Sequence, residues 1–383
     1  MIQISPETQL FIREHSSDDV RALALQAKKY PDINMPTAIT QIAGRQVAAE
    51  KIPSWREIEE IWYPKHLSLE QCSSEITARY KARLFQGDSL IDLTGGFGID
   101  CSFLATGFKS ATYVERQEEL CEIAAHNFPI LNLNHINVRN EDGVAYLQSM
   151  SPVDCIFLDP ARRNEHGGKT VAISDCEPNV AELEALLLSK ANRVMIKLSP
   201  MLDLSLALKE LKHTQEVHIL SVNNECKELL ILLGQTSPAE IAIHCVNLFT
   251  KGTQEEQHFV FTREQEQRSQ CTYTDSLGDY LYEPNASLLK AGAFRSIAAA
   301  YPVRKLHPNS HLYTSDSFIE NFPGRIFRIA NQCSLNKKEV KENLADLKKA
   351  NVTVRNFPAT VAELRKRLHL TEGGDTYLFA STL

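Results

Sequence analysis

The amino-acid sequence predicts an α/β protein. Its centre is a doubly wound, seven-stranded Rossmann-like sheet with an antiparallel last strand, preceded by a helical region and followed by small α+β regions. Three observations carry this. Beyond Ser89, short apolar runs alternate with helical stretches, the rhythm of strands joined by crossover helices. The first run, Leu90 to Leu93, leads straight into Thr94, Gly95, Gly96 and Gly98, where backbone can pass close to a ligand and the amides of a following helix face the same spot. Only Asn223 to Glu228 separates the sixth run from the seventh. A parallel connection needs roughly a dozen residues, so the last strand turns back as a hairpin.

The chain has 383 residues, 43% hydrophobic and 23% charged, enough to bury a sizeable core in two or three domains. A net charge of −7 argues against non-specific nucleic-acid binding by the chain as a whole. The charge is uneven, however: residues 320–383 hold 11 Lys and Arg against 7 Asp and Glu. The nine cysteines include no CxxC pair and sit mostly among apolar neighbours, as small core residues of a reducing compartment do. The first residues lack a positively charged start followed by an apolar block. Even the longest unbroken apolar runs, of which Leu229 to Leu233 is one, are far too short to span a membrane. The expectation is a cytoplasmic protein with no membrane partner.

Residues 1–85 read as a helical domain, with starts at Ser5-Pro6-Glu7 and Ser17-Asp18-Asp19, where short polar side chains cap exposed amides. Pro31, Pro36, Pro53 and Pro64 divide it. Residues 86–270 hold the strands: Leu90 to Leu93, Ala111 to Val114, Ile136 to Val138, Cys155 to Leu158, Val194 to Leu198, Val217 to Val222 and Leu229 to Leu233. The polar stretch from Glu255 to Asp279 reads as a surface segment or domain join. Residues 271–319 form a small region with a helix beside strands, and residues 320–383 read as strand, helix, strand, helix, strand.

A sheet ending this way is similar to that of class I S-adenosylmethionine-dependent methyltransferases. The segments LTGGFGID, LDPARR, IKLSPMLD, SVNNECKELL, YEPNASLLKAGAF, RNFP and YLFASTL resemble the bacterial group that carries a C-terminal THUMP-like domain. The resemblance runs from about residue 85 to the end. It implies an S-adenosylmethionine-binding catalytic domain, a small ferredoxin-like region, and a terminal domain similar to modules that hold RNA, chiefly tRNA.

In such a site Asp92, Thr94, Gly95, Gly96 and Gly98 meet the methionine part of the cofactor. Glu115, at the end of the second strand, can accept both ribose hydroxyl hydrogens, and Arg116 opens the next helix. Asp142 can accept from the adenine amino group, with Glu141 competing and a plain Asp142-Gly143 turn as the bland alternative. In IFLDPARR, the locked φ of Pro160 aims the Asp159 carboxylate and a carbonyl together into the crevice, where two acceptors can hold an amine. Ala161 and Arg162 stand where enzymes acting on base amines carry proline and a stacking aromatic, which departs from adenine-N6 chemistry. Uracil-C5 enzymes need a cysteine after the next strand, where this chain reads IKLSP. Methyl transfer is an in-line displacement, so the work is placement and water exclusion. The candidate catalytic residues are Asp159, Pro160, Arg162 and Lys197, with Asn223, Asn224 and Glu225 lining the same crevice.

Other signals carry less. Cys226 reads as an inert thiol at a strand turn. His166-Gly167-Gly168-Lys169-Thr170 resembles the end of a phosphate loop, but Arg163 occupies the place of its first glycine, and a lid over the substrate is the better reading. His307 and His311 flank Pro308-Asn309, a loop, and no metal is expected. In the tail, Phe357-Pro358 and Arg365, Lys366 and Arg367 suit an RNA surface, or else the three cations are the solvated face of an amphipathic helix. The expected function is S-adenosylmethionine-dependent methylation of a base in structured RNA, tRNA or rRNA. The alternatives are a small-molecule or protein methyltransferase, or a non-catalytic RNA-binding protein that retains the fold. Cys101 at the place of the third glycine of GxGxxG, with the closing hairpin, disfavours a dehydrogenase.

Overall fold

The computed structural model describes residues 4–162 and 172–382, without the side chain of Arg162. It divides into two compact units, Met1–Val217 with Glu228–Ala239, and His218–Lys227 with Glu240–Leu383. The segment His166 to Thr170, with its lid reading, lies outside the described residues.

In the first unit the N-terminal helices start where capping residues stand. Ser5 caps α1 (Pro6–Glu14) by accepting from the amide of Thr8, and Asp19 caps α2 (Val20–Leu25) by accepting from Arg21 and Ala22. Then come α3 (Met35–Lys51), α4 (Pro53–Arg56), α5 (His66–Gln71) and α6 (Glu75–Leu84). Buried residues of these helices and of the links between them, Ala48, Ile52, Trp55, Ile61, Tyr63, Leu69 and Ala78, pack with Phe97 and Ile99 of the glycine corner. The Trp55 and Phe97 rings meet edge to face at 5.2 Å.

One mixed sheet holds nine strands: β1 (Gly87–Asp92), β2 (Phe108–Glu115), β3 (Ile136–Asn140), β4 (Val153–Leu158), β5 (Ala191–Leu198), β6 (Thr214–Val222), β7 (Glu225–Gly234), β8 (Ala242–Leu248) and β9 (Glu256–Thr262). Their order is β9-β8-β6-β7-β5-β4-β1-β2-β3. The pairs β1 with β2, β2 with β3, β1 with β4 and β4 with β5 are parallel. Strand β7 runs antiparallel to β5, with Lys197 opposite Leu230. The turn before β7 is tighter than the sequence suggests: Asn223 and Asn224 alone make it, at φ of 49° and 68°, the conformation a two-residue hairpin needs. Strands β8 and β9 extend the seven-stranded core. The stretch expected to be a surface join starts instead as β9, which pairs antiparallel with β8. An outermost strand reads as loop because Phe261 is its one buried residue and its other positions stay polar or partly exposed.

The sheet core gathers Leu90, Tyr113, Phe128, Phe157, Met195 and Leu232. Replacing a buried ring such as Phe128 by alanine costs about 3–5 kcal/mol in comparable cores.

In the second unit, Tyr280–Pro284 is flanked by Tyr313–Ser315 and Gly324–Arg328 in an antiparallel sheet. The tail is strand Gly324–Arg328, helix Lys337–Leu344, strand Asn351–Arg355, helix Val361–Leu368 and strand Tyr377–Ser381, the order read from sequence. Buried Glu283 ties these parts together: it receives Arg325 in a short ion pair and Arg355 at 2.8 Å.

Gly95 touches the Tyr113 ring: a Cβ built there falls 2.3 Å from a ring carbon. Gly95→Ala is therefore expected to lower unfolding stability by roughly 1–3 kcal/mol in urea titration. An unchanged midpoint would show that the ring yields freely.

Candidate active site

The chemistry-bearing residues stand at the carboxyl ends of the parallel strands, where open α/β sheets form their crevice. At the end of β1, the amide of Thr94 donates to Asp92 Oδ1 at 3.0 Å, which folds the chain back on itself. The amide of Leu93 donates to the carbonyl of Phe157 and that of Gly95 to Val114, so the corner is stitched to both neighbouring strands. Gly96 then takes φ +54°, and the place where its Cβ would stand is open, with the nearest atom, the Thr94 carbonyl oxygen, at 3.7 Å. Gly98, also left-handed, precedes α7 (Ile99–Leu104). The loop thus offers bare backbone to open space.

Glu115, ending β2, accepts from the Gly96 amide through Oε2 at 2.9 Å and from the Gln117 amide through Oε1 at 2.8 Å. Tyr113 on the same strand donates its hydroxyl to the Gly96 carbonyl. The carboxylate expected to grip a sugar also fastens the glycine loop to its neighbour. Arg116 does not open the next helix: α8 (Glu118–Ile130) begins two residues later, and Arg116 pairs with Glu177 at 3.6 Å. Asp142 caps α9 (Gly143–Ser149), its Oδ1 accepting from Val144 and Ala145 at 3.0 Å each. It is still beside the corner, because a Cβ on Gly143 would fall 2.1 Å from the Leu93 carbonyl oxygen.

Beyond β4, the Asp159 amide donates to Thr94 Oγ1 at 2.6 Å, and Asp159 Oδ2 meets Lys197 Nζ at 2.6 Å. Pro160 is buried behind it. The backbone of Arg162 pairs with Cys176 in a short antiparallel ribbon, and its side chain lies outside the described atoms.

Beneath Asp159 is a set of residues without a role in the sequence reading. Lys197 Nζ also touches Asp100 Oδ2 at 3.1 Å and Ser73 Oγ at 3.0 Å. Lys81 Nζ, fully buried, touches Asp100 Oδ1 at 2.9 Å, Glu228 Oε2 at 2.5 Å and Ser73 Oγ at 2.9 Å. The Ser73 hydroxyl donates to Asp100 Oδ2 at 2.7 Å. The result is a continuous ionic chain, Glu228–Lys81–Asp100–Lys197–Asp159, drawn from α6, α7, β5, β7 and the end of β4. Asp100 Oδ1 lies near Lys81 but accepts no well-directed hydrogen bond. Two signals mark these residues in the sequence. Glu228 directly precedes the apolar run of β7. Lys81 follows Thr77 by four positions on one face of α6, a face whose residues Thr77, Ala78 and Lys81 are all buried.

Burial opposes the charge of Lys197, yet Asp100, Asp159 and Glu228 hold its ammonium well above the usual lysine range. Burial likewise opposes ionisation of Asp100, and Lys197 and Lys81 overcome it, holding its carboxyl well below the usual range. Asp159 is pushed up by burial, with Lys197 opposing. Asp92 is pushed up to about 8, by burial first and then by Asp100 and Asp159, against the Thr94 amide and Lys197.

Several expected residues are engaged elsewhere. Asn224 accepts from the Ala286 amide and donates its own to Asn247, and Asn223 accepts from the Thr250 amide. Burial pushes the Cys226 thiol up to about 11, which suits an inert side chain. In the tail, Arg365 pairs with Glu372 at 3.0 Å, Arg367 donates to the Leu335 carbonyl, and Phe357 packs against the local core. Among the described residues, ring nitrogens of His218 and His244 come within 4.8 Å. Their rings stack at 4.3 Å and 12°.

Because Asp92 keeps its proton when folded but loses it near pH 4 when unfolded, the folded state binds more protons between about pH 4 and 8. Stability therefore falls as pH rises through that window, by at most about 1.4 kcal/mol per pH unit from this group. Urea unfolding at pH 5 through 8 is expected to show Asp92→Asn gaining on the parent as pH rises. Parallel curves would contradict it.

The chain resembles known proteins at two levels. A ferredoxin-like domain family matches residues 280–323 and a THUMP domain-like family matches residues 324–383. No curated protein matches. A crystal structure of a candidate methyltransferase from Porphyromonas gingivalis superposes with a TM-score of 0.86 at 34% identity, covering 100% of this chain and 96% of that one. An rRNA methylase from Streptococcus thermophilus shares 14% identity over 42% of this chain and 93% of its own, with a TM-score of 0.31. A methyltransferase-type structure from Streptococcus mutans, in complex with S-adenosylhomocysteine, shares 13% over 42% and 96%, with a TM-score of 0.30. Likeness at that level carries no argument of its own. On the full-length match and the matched tail, the chain belongs to the bacterial class I methyltransferase family that carries a C-terminal THUMP-like domain.

Proposed function

We propose that this protein transfers a methyl group from S-adenosylmethionine to a base of structured RNA. The observation that carries the donor assignment is the corner at Gly96, where backbone turns left-handed into open space between the strand-end carboxylates of Asp92, Glu115 and Asp159. A Cβ would occupy that cradle, and the donors and acceptors around it suit an amino acid joined to a nucleoside: amides of the loop, and Glu115 at hydroxyl-accepting height at the end of β2. Thr94, Gly95, Gly96 and Gly98 would hold the methionine part, Glu115 the ribose, and Asp142 the adenine, with Arg116 at the rim. When bound, the cofactor supplies an electrophilic methyl on a sulfonium.

The chain's own residues then have separate tasks. Lys197 occupies Asp159 Oδ2, so Oδ1 is the oxygen that turns to the acceptor group. Pro160 fixes the backbone that carries it. Lys197 remains an ammonium and takes no proton; burial pushes the Asp159 carboxyl up, and the Lys197 ammonium against it works the other way. No covalent nucleophile is required, in keeping with buried, unreactive thiols at Cys101, Cys121 and Cys155. The RNA target is supported by the THUMP domain-like tail and its basic balance. Arg365 and Arg367 are held by Glu372 and Leu335, so the supporting feature is the tail's fold and not that helix face.

Calorimetric titration is expected to show S-adenosylmethionine binding that Gly96→Arg abolishes, because the long side chain fills the open cradle. Tight NAD binding in its place would remove the assignment. Asp159→Asn is expected to keep S-adenosylhomocysteine affinity while transfer to RNA from a deletion strain drops at least about a hundredfold. That strain's RNA is expected to lack one methylated nucleoside by mass spectrometry; an identical nucleoside profile would refute the RNA target.

A further inference from the structure

The buried ionic chain under the crevice does not balance. Among the described residues, three carboxylates, Asp100, Asp159 and Glu228, meet two ammoniums, Lys81 and Lys197, through contacts of 2.5 to 3.1 Å. Each ammonium touches three oxygens, one of them the shared Ser73 hydroxyl. The side chains of Lys81, Lys197, Asp100 and Glu228 are at most 10% exposed, so water screens the surplus poorly. Asp159 is the member that opens to the crevice, with its side chain 37% exposed.

Resting on the donor assignment above, we infer that this surplus of one negative charge makes the crevice select a cation at the methyl-donating position. The sulfonium donor is then held more tightly than the neutral thioether left after transfer. The surplus sits where it matters, because Asp159 and Asp92 end adjacent strands, β4 and β1, and share Thr94 as a hydrogen-bond partner. The same charges bear on Asp92, which is pushed up by burial, held down by the Thr94 amide, and then pushed up by Asp100 and Asp159 against Lys197. Loss of the positive charge on transfer weakens the hold on the product, so the chemical step itself favours release. The α-amino group is common to donor and product, so it cannot account for a difference between them.

The test is calorimetric titration of the full chain with S-adenosylmethionine, S-adenosylhomocysteine and sinefungin, which carries a protonated amine in place of the sulfonium. The two cations are expected to bind about tenfold more tightly than S-adenosylhomocysteine, the size of one poorly screened charge across a buried site. Glu228→Gln cancels the surplus and is expected to close that gap, and Lys81→Gln enlarges the surplus and is expected to widen it. S-adenosylhomocysteine affinity stays within about twofold in both and serves as the control for an intact cleft. Equal affinities in the parent protein, or a gap that neither variant moves, overturns the inference and leaves the donor assignment standing. Failure of all three ligands to bind overturns the donor assignment itself, and the inference with it.

Discussion

The pairing of two buried lysines with Asp100 is the constraint on which the rest of the first unit depends. Carrying an ammonium out of water costs several kcal/mol, and the cost is offset only where oxygens surround it in good geometry. Lys81 and Lys197 each find three, and they share Asp100 and Ser73. Removing one partner would leave another charged and buried, at a cost of about 3–5 kcal/mol in stability. That interdependence fixes α6, α7 and the ends of β4, β5 and β7 relative to one another, and with them the carboxylate that opens to the crevice.

A second layer of packing keeps the glycine corner in place. Phe97, between Gly96 and Gly98, lies against Trp55, and its neighbour Ile99 joins the same apolar cluster as Leu120 and Ile123 of α8. The Tyr113 ring fills the space that Gly95 leaves and its hydroxyl reaches the Gly96 carbonyl. Glu115 holds the Gly96 amide from the other side. A loop that must present naked backbone cannot hold itself by its own side chains, so β2 and the N-terminal helices hold it. This division of labour explains why residues so plain in the sequence, an aromatic here and a tyrosine there, cluster around one turn.

The sequence showed the parallel core because its strands are apolar runs of the right length, and it showed the tail because strand and helix alternate there without exception. The antiparallel last strand was legible from the six residues Asn223 to Glu228, too few to cross a sheet. Strand β9 was not, since Glu256, Gln257 and His258 give a margin strand the polarity of a loop. The strand-end acids Asp92, Glu115 and Asp159 could be found from position alone. The partners of the lysine and serine behind them could not: Ser73 meets Asp100 and Lys197 across 27 and 124 residues of chain, and Lys81 meets Glu228 across 147, and periodicity carries no trace of partners so distant. Asp142 could be placed but its capping duty was visible only as an alternative, because Asp before Gly serves turns and helix starts equally well.

Ser73 and Lys81 also bear on where the chain could be cut. A fragment starting at Gly87 would contain every strand of the core and all the acids of the cleft, yet would lack one of the two cations and the hydroxyl that joins them. Such a fragment would have to neutralise Asp100 or Glu228 by protonation in order to close its interior. The helices ahead of the sheet therefore complete the interior beneath the cleft. To keep Asp100 and Glu228 charged in that interior is to keep Lys81, and with it the helix that carries it.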